Sequence, residues 1–361
     1  MGFRDYYRQF DDIDEAALNL ERRERRRREK QQALQRVPDI DLSGTEWPDL
    51  PHSEIVNAAI ARARGRVNGY PDRHAVAARR LLAERLAVSP DQIAVGNGAA
   101  ELLQSAALSL LSPGDELVMP WPSYPLYPLM AAHAGATPVS VDDGPILDAI
   151  TERTRALVIC NPNDPTGVYI SSEDLGGLLS ALPDEVHVLL DEALIHFQDV
   201  EDIDACLRLV DAFPRLLVVR TFSKIYGLSG LRAGYAVGSD ARVLAAAAPV
   251  LGVNALTQAA VEHALRHGDA EVDRRRHAVA RERRFLTEEL RALGADVTDS
   301  QANFLWIRIR DVSGDELANS LRRQGVIVAP GGPLGEDHHI RVAVRDEQAS
   351  KRLLRAVENV L

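Results

Sequence analysis

The sequence predicts an α/β protein in which a large domain, with a mainly parallel sheet between helices, is joined to a smaller α+β domain. Three observations carry that expectation. Seven short, continuously apolar runs lie between Ile93 and Val237. Helix-like stretches separate most of them, and several run directly into turns rich in Gly and Pro. After about residue 250 the texture changes to long charged helical sequence followed by two more strand-like runs. A run that is apolar at every position suits a strand buried on both faces, as in a parallel sheet, whereas strict alternation marks a half-exposed strand.

The elements follow in order. Residues 1–36 are expected to form a helical arm, because Glu15–Leu34 is rich in helix formers. Pro38, Pro48 and Pro51 then break the helical pattern and make Val37–Pro51 an extended segment. Ser53–Arg64 reads as a helix capped by Ser53, and Ala75–Arg85 as another. The strand-like runs are Ile93–Val95, Glu116–Pro120, Thr137–Val141, Ala156–Cys160, His187–Leu190, Leu216–Arg220 and Ala233–Val237. Val261–Leu293 reads as one long charged helix, and Asn303–Arg310 and His339–Val344 as strands of a smaller sheet. The large domain is therefore placed at 52–250, and the small domain combines 37–51 with 251–361.

A chain of 361 residues has room for both. Its 46% apolar and 26% charged residues are those of a globular protein, and a net charge of −11 argues against nucleic acid as a general partner. The local exception, RRERRRREK at Arg22–Lys30, reads as a solvated helical arm or as a polyanion-binding patch. No apolar run approaches the roughly 18 to 20 residues that span a bilayer, and the opening MGFRDYYRQF lacks the apolar core of a signal peptide. A cytoplasmic protein with no membrane partner is expected. Cys160 and Cys206 are too few for a disulfide framework and sit in apolar patterns, as buried thiols of a reducing compartment do.

In an open α/β sheet, ligands collect past the carboxyl ends of the strands. Gly96-Asn97-Gly98-Ala99-Ala100-Glu101 follows the first run and opens a helix. Its small residues and free helical N–H groups suit a phosphate, although a plain strand-to-helix turn also uses glycine. Asn161-Pro162-Asn163-Asp164-Pro165-Thr166-Gly167 is a rigid turn that aims polar side chains across the sheet end. Asp191-Glu192 puts carboxylates directly after a buried strand, which is costly without a cation unless they cap a helix. Lys224 lies beside a sheet end, where desolvation would lower its pKa and free its amine to react; a solvated surface lysine is the alternative. Arg232 begins the next strand and can return to the same place. Phosphate turn, buried carboxylate and desolvated lysine are the parts that pyridoxal phosphate needs: an anion site, an anion at its ring nitrogen, and an amine for its aldehyde.

With these motifs the sequence resembles the fold-type I pyridoxal-phosphate aminotransferases, and among them the histidinol-phosphate aminotransferase-like group. The resemblance runs from about residue 40 to the end and rests on NPNDPTG (161–167), the aspartate of DEAL (191–194) and SKIYGLSGLRAG (223–234). GYPD (69–72), GNGAAE (96–101), PSYPLY (122–127), ANF (302–304) and IRVAV (340–344) support it. It implies that Lys224 bonds to the cofactor aldehyde and later moves the proton between the substrate α-carbon and cofactor C4′. Asp191 would pair with the ring nitrogen. The backbone of Gly98, Ala99 and Ala100, with Ser223 and Arg232, would hold the phosphate. Tyr124 would stack on the ring, and Tyr70 would reach the phosphate of a neighbouring subunit's cofactor, making the active unit a homodimer. Arg341 would clamp the substrate α-carboxylate.

Three departures from the family pattern stand out. Asp164 stands where Asn usually donates to the cofactor's phenolic oxygen, and Leu194 where Tyr usually donates to the same atom. Thr45-Glu46-Trp47-Pro48 replaces Asn-Glu-Asn-Pro, in a segment that lines the substrate side, so Trp47 joins the candidate substrate residues. The expected function is transfer of an amino group between an amino acid, or histidinol phosphate, and a 2-oxo acid or phosphorylated ketone. The alternatives are a decarboxylase or another pyridoxal-phosphate enzyme acting on amino acids, and a non-catalytic regulator that binds the cofactor. No metal is expected.

Overall fold

The structure is a computed structural model that describes residues 22–25, 38–51, 53–65, 67–142 and 144–361. Two compact units divide at Ile40 and Asp41. In the first, residues 22–25 are helical; the rest of the arm expected over residues 1–36 lies outside the described residues.

The second unit contains a seven-stranded sheet. Its strands are β1 (Ile93–Gly96), β2 (Glu116–Pro120), β3 (Thr137–Val141), β4 (Thr154–Cys160), β5 (His187–Asp191), β6 (Leu216–Thr221) and β7 (Gly234–Gly238). They are ordered β1-β7-β6-β5-β4-β2-β3. All neighbours are parallel except that β7 runs antiparallel to both β1 and β6. The carboxyl ends of β1, β4, β5 and β6 therefore share one edge with the amino end of β7. The register makes this concrete: Gly234 pairs with both Gly96 and Thr221, and Cys160 pairs with Asp191. Every strand-like run of the sequence forms a strand, with ends shifted by at most two residues.

Helices α1 (Ser53–Ala63), α2 (Val76–Leu86), α3 (Ala99–Leu110), α4 (Leu126–His133), α5 (Ser172–Ala181) and α6 (Ala241–Ala247) accompany the sheet. In α3 the buried residues are Ala99, Leu102, Leu103, Ala106 and Ala107, spaced as one helical face. That face packs into a core with Leu117, Met119, Tyr127, Val158, Leu189 and Val219. Each buried Leu contributes roughly 1.5–3 kcal/mol relative to exposure, which fixes the amino end of α3 at the β1 edge.

Beyond residue 250 one expectation is corrected. Val261–Leu293 is not one helix: α7 (Ala255–His267) ends at Gly268, and α8 (Asp269–Ala292) starts afresh. A side chain at 268 would press its Cβ within 2.5 Å of the Ala264 carbonyl oxygen. Basic His267 before the break and acidic Asp269 after it suit the two helix dipoles. Strands β8 (Asp296–Val297), β9 (Phe304–Arg308), β10 (Ala329–Pro330) and β11 (His339–Ala343) form an antiparallel sheet ordered β10-β11-β9-β8, with helices α9 (Gly314–Arg323) and α10 (Glu347–Glu358). Leu42 bonds to this region through its N–H to the Ile327 carbonyl and its carbonyl to the Ala343 N–H, both near 2.7–2.8 Å. The 42–47 segment that follows is thereby carried to the site.

Candidate active site

A cavity of about 230 Å³ opens at the shared sheet edge. Lys224, Asp191, Asp164, Tyr124, Ser223 and Arg232 line it, with Ala99, Ala100 and Leu194. Five separate turns thus deliver their side chains to one place.

Asp191 ends β5 and is 4% exposed. Its Oδ2 accepts from the Tyr127 hydroxyl and its Oδ1 from the Ala193 N–H, each at 3.0 Å. It has no ion pair among the described residues. Burial pushes its pKa from 3.8 up to about 6, against the two hydrogen bonds. The neighbouring Glu192 differs: Arg220 Nε meets its Oε2 at 2.7 Å, and Arg220 also holds Asp204. Of the two carboxylates read in the sequence, Glu192 is buried and ion-paired through Oε2 to Arg220. The other faces the cavity awaiting a cation.

Lys224 lies three residues past the end of β6. Burial lowers its pKa, opposed by the charges of Asp164, Glu46 and Asp191. Its Nζ hydrogen-bonds to the Thr45 hydroxyl. Thr45 is buried, and its carbonyl accepts from Asn303 Nδ2 at 3.0 Å, so the ANF motif holds the residue that holds the lysine.

The anion side is built from backbone. Gly98 precedes α3 with φ +93 and offers no side-chain cap, leaving the first N–H groups of the helix unclaimed by side chains. A Cβ at Gly98 would lie 2.5 Å from Arg232 Nη2, so only glycine lets the guanidinium come this close to the helix end. Arg232 Nη1 also reaches Ser223 Oγ at 3.3 Å and the Ser229 carbonyl at 2.9 Å. A helix amino end, a guanidinium and a hydroxyl make a site for a dianion.

The 161–167 turn is cross-braced. Asn163 Nδ2 donates to the Pro122 carbonyl at 3.0 Å and its Oδ1 accepts from Ser123 Oγ at 2.7 Å. Gly167, at φ +76, lies against Ser300, which a Cβ would strike. Asp164 is thereby aimed at Arg341: its Oδ1 accepts from Nη1 at 2.5 Å. Arg341 Nη2 donates to the Ser43 carbonyl at 3.0 Å.

Other predicted site residues lie elsewhere. Trp47 lines no part of the cavity; Arg275 stacks on its ring at 4.4 Å. Tyr70 is 88% exposed and stands apart from the cavity of its own chain. Sequence reasoning missed Tyr127, Thr45, Glu46 and Ser229. Tyr127 closes the PSYPLY motif and Thr45 opens the departing TEWP segment, so both carried a signal.

The pattern of aminotransferase class I and II matches residues 37–357. A histidinol-phosphate aminotransferase of Nitrosococcus oceani is 35% identical over 331 residues, covering 89% of this chain and 89% of that protein. The chain belongs to the aminotransferase class I and II family. An aromatic amino acid aminotransferase of Corynebacterium efficiens is 36% identical, covering 89% of this chain and 93% of its own length. The fold matches that of the Sinorhizobium meliloti histidinol-phosphate aminotransferase solved with pyridoxal-5′-phosphate: the TM-score is 0.78 at 24% identity, over 90% and 91% of the two chains. This family member is a fold-type I transaminase, and its cofactor is pyridoxal 5′-phosphate. The residues fit that group. The unpaired, buried Asp191 suits a cationic ring nitrogen, the open amino end of α3 beside Arg232 suits the phosphate, and Lys224 is the buried amine.

No helix among the described residues is long and apolar enough to cross a membrane.

Proposed function

We propose that this transaminase takes its amino group from an aromatic amino acid or histidinol phosphate and gives it to a 2-oxo acid or phosphorylated ketone. The observation that carries the reading is the convergence of Lys224, Asp191 and the Gly98–Arg232 anion site on one cavity. When bound, the cofactor supplies the carbonyl that accepts the amino group and an electron sink for the pair left by the α-proton. Lys224 is the residue that carries that proton, because its amine is buried, its pKa is lowered, and Thr45 orients it. Asp191 stabilises positive charge on the ring nitrogen, and the Tyr127 and Ala193 hydrogen bonds fix its carboxylate for that contact. Gly98, Ala99, Ala100, Ser223 and Arg232 hold the phosphate. Tyr124 flanks the ring, and partial burial raises the pKa of its hydroxyl above the ordinary value. Arg341 receives the anionic group beside the reacting carbon, the carboxylate of an amino acid or the phosphate of histidinol phosphate.

The active unit in this reading is a homodimer, in which the exposed Tyr70 reaches the partner's cofactor phosphate. The domain division at 52–250, with 37–51 and 251–361 as the small domain, accompanies it. A cytoplasmic location accords with two buried free thiols.

The donor range is supported by the names of the relatives and is tested by a donor screen. Histidinol phosphate, aromatic amino acids and glutamate are compared by kcat/KM, with products identified in a single turnover. The reading expects the 2-oxo acid or ketone of an aromatic or histidinol-type donor. Carbon dioxide as the main product, or glutamate as the sole donor, would refute it.

A further inference from the structure

We propose that Asp164 is an internal counter-ion for Arg341 that competes with the substrate carboxylate, and so sets the donor specificity of the site. The proposal rests on the reading of Arg341 as the carboxylate clamp.

The guanidinium of Arg341 is already engaged on both outer nitrogens. Nη1 holds Asp164 Oδ1 at 2.5 Å, and Nη2 holds the Ser43 carbonyl at 3.0 Å. One face lies over the Phe304 ring, 5.4 Å from its centroid. The side chains of the pair are only 12% and 10% exposed, so water does little to screen them. A carboxylate arriving at Arg341 must displace Asp164 or share its cation.

The charges around the site show what displacement costs. Lys224 and Arg232 line the cavity with Glu46, Asp164 and Asp191, and Arg341, outside the lining, is reached through its pair with Asp164. Loading the cofactor commits Lys224 to the covalent bond, Arg232 to the phosphate and Asp191 to the ring nitrogen. What remains is Arg341 against Asp164 and Glu46, one negative charge in excess. With Asn at 164, as the family pattern has it, the remainder would be neutral. A displaced Asp164 would find Asp191 and Glu46 among the described residues lining the cavity, where Lys224 and Arg232 are already committed. Like charges in a poorly screened site repel strongly. Donors with a neutral or cationic distal group are therefore favoured over those with a second carboxylate.

The test is calorimetric titration of the holoenzyme with 3-phenylpropanoate, which has a carboxylate but no amino group to react. Its uncharged amide is the control for shape. Asp164→Asn is expected to tighten the carboxylate about tenfold or more and to leave the amide unchanged. Arg341→Met is expected to weaken the carboxylate and to abolish the gain in the double variant. Asp164→Ser, which also removes the charge, should repeat the gain if the Asn protein folds poorly. If carboxylate affinity depends on Arg341 but neither Asp164 variant raises it, the counter-ion role is wrong while the clamp stands. If Arg341→Met changes nothing in either background, both are wrong. Asp164→Asn should also raise kcat/KM for glutamate relative to an aromatic donor, and an unchanged ratio would refute the specificity role.

Discussion

Asp191 is a carboxylate whose environment favours the acid form until a cation arrives. Its folded pKa, about 6, lies above the ordinary 3.8, so between those values the folded protein holds a proton that the unfolded chain has lost. Stability of the cofactor-free protein therefore falls as pH rises through that window, and above it the full cost remains, of order 3 kcal/mol. Cofactor-free Asp191→Asn should unfold at higher temperature than wild type at pH 7.5 and at a similar temperature near pH 4. Equal melting at both pH values would mean the carboxylate is solvated. Leu194 makes a second prediction at this scale. It offers the cofactor's phenolic oxygen no donor, and Asp164 is turned to Arg341. The proton of the lysine–cofactor linkage should then be held tightly. The pH midpoint of the visible absorbance is expected above that of relatives carrying Asn and Tyr. Leu194→Tyr should lower it by about one unit, and an unmoved midpoint would contradict this.

At the scale of elements, the proposed phosphate site at the amino end of α3 is expected to decide cofactor affinity. Gly98→Ala combines an unfavourable φ of +93 with a Cβ in the space of Arg232 Nη2. Titration of cofactor-free protein should show affinity lowered by about tenfold or more, and undiminished affinity would place the phosphate elsewhere. The sequence made most strands legible because buried parallel strands are largely apolar, as Ala156–Cys160 in β4 is; Glu116–Pro120 and the more exposed edge strand Thr137–Val141 match to the residue. It made the α7–α8 break hard to see, because charge and helix propensity continue through it. The local cue, His267-Gly268-Asp269, is short, yet it names both helix ends. The anion turn and the pyridine aspartate were legible because each sits within a few residues of its strand.

At the scale of the whole molecule, what was illegible is what closes over long separations. Thr45 meets Lys224 across 179 residues, and Asp164 meets Arg341 across 177. Neither contact has a local signature; both exist because the 42–47 segment and β11 are brought to the sheet edge by tertiary packing. The dimer is argued at this scale too. If Tyr70 serves the partner's site, mixing Lys224→Ala and Tyr70→Ala chains should regenerate one intact site in each mixed dimer. A random mixture then recovers about a quarter of wild-type activity. No recovery, with mixed dimers present, would return Tyr70 to its own chain or to no role.

The central claim is that Lys224 is the amine that carries the cofactor, and borohydride reduction tests it most directly. Reducing the protein saturated with pyridoxal 5′-phosphate, then digesting it, should fix the cofactor's mass on the peptide containing Lys224 and on no other. An unmodified Lys224 peptide, or a label on a different lysine, would contradict the account.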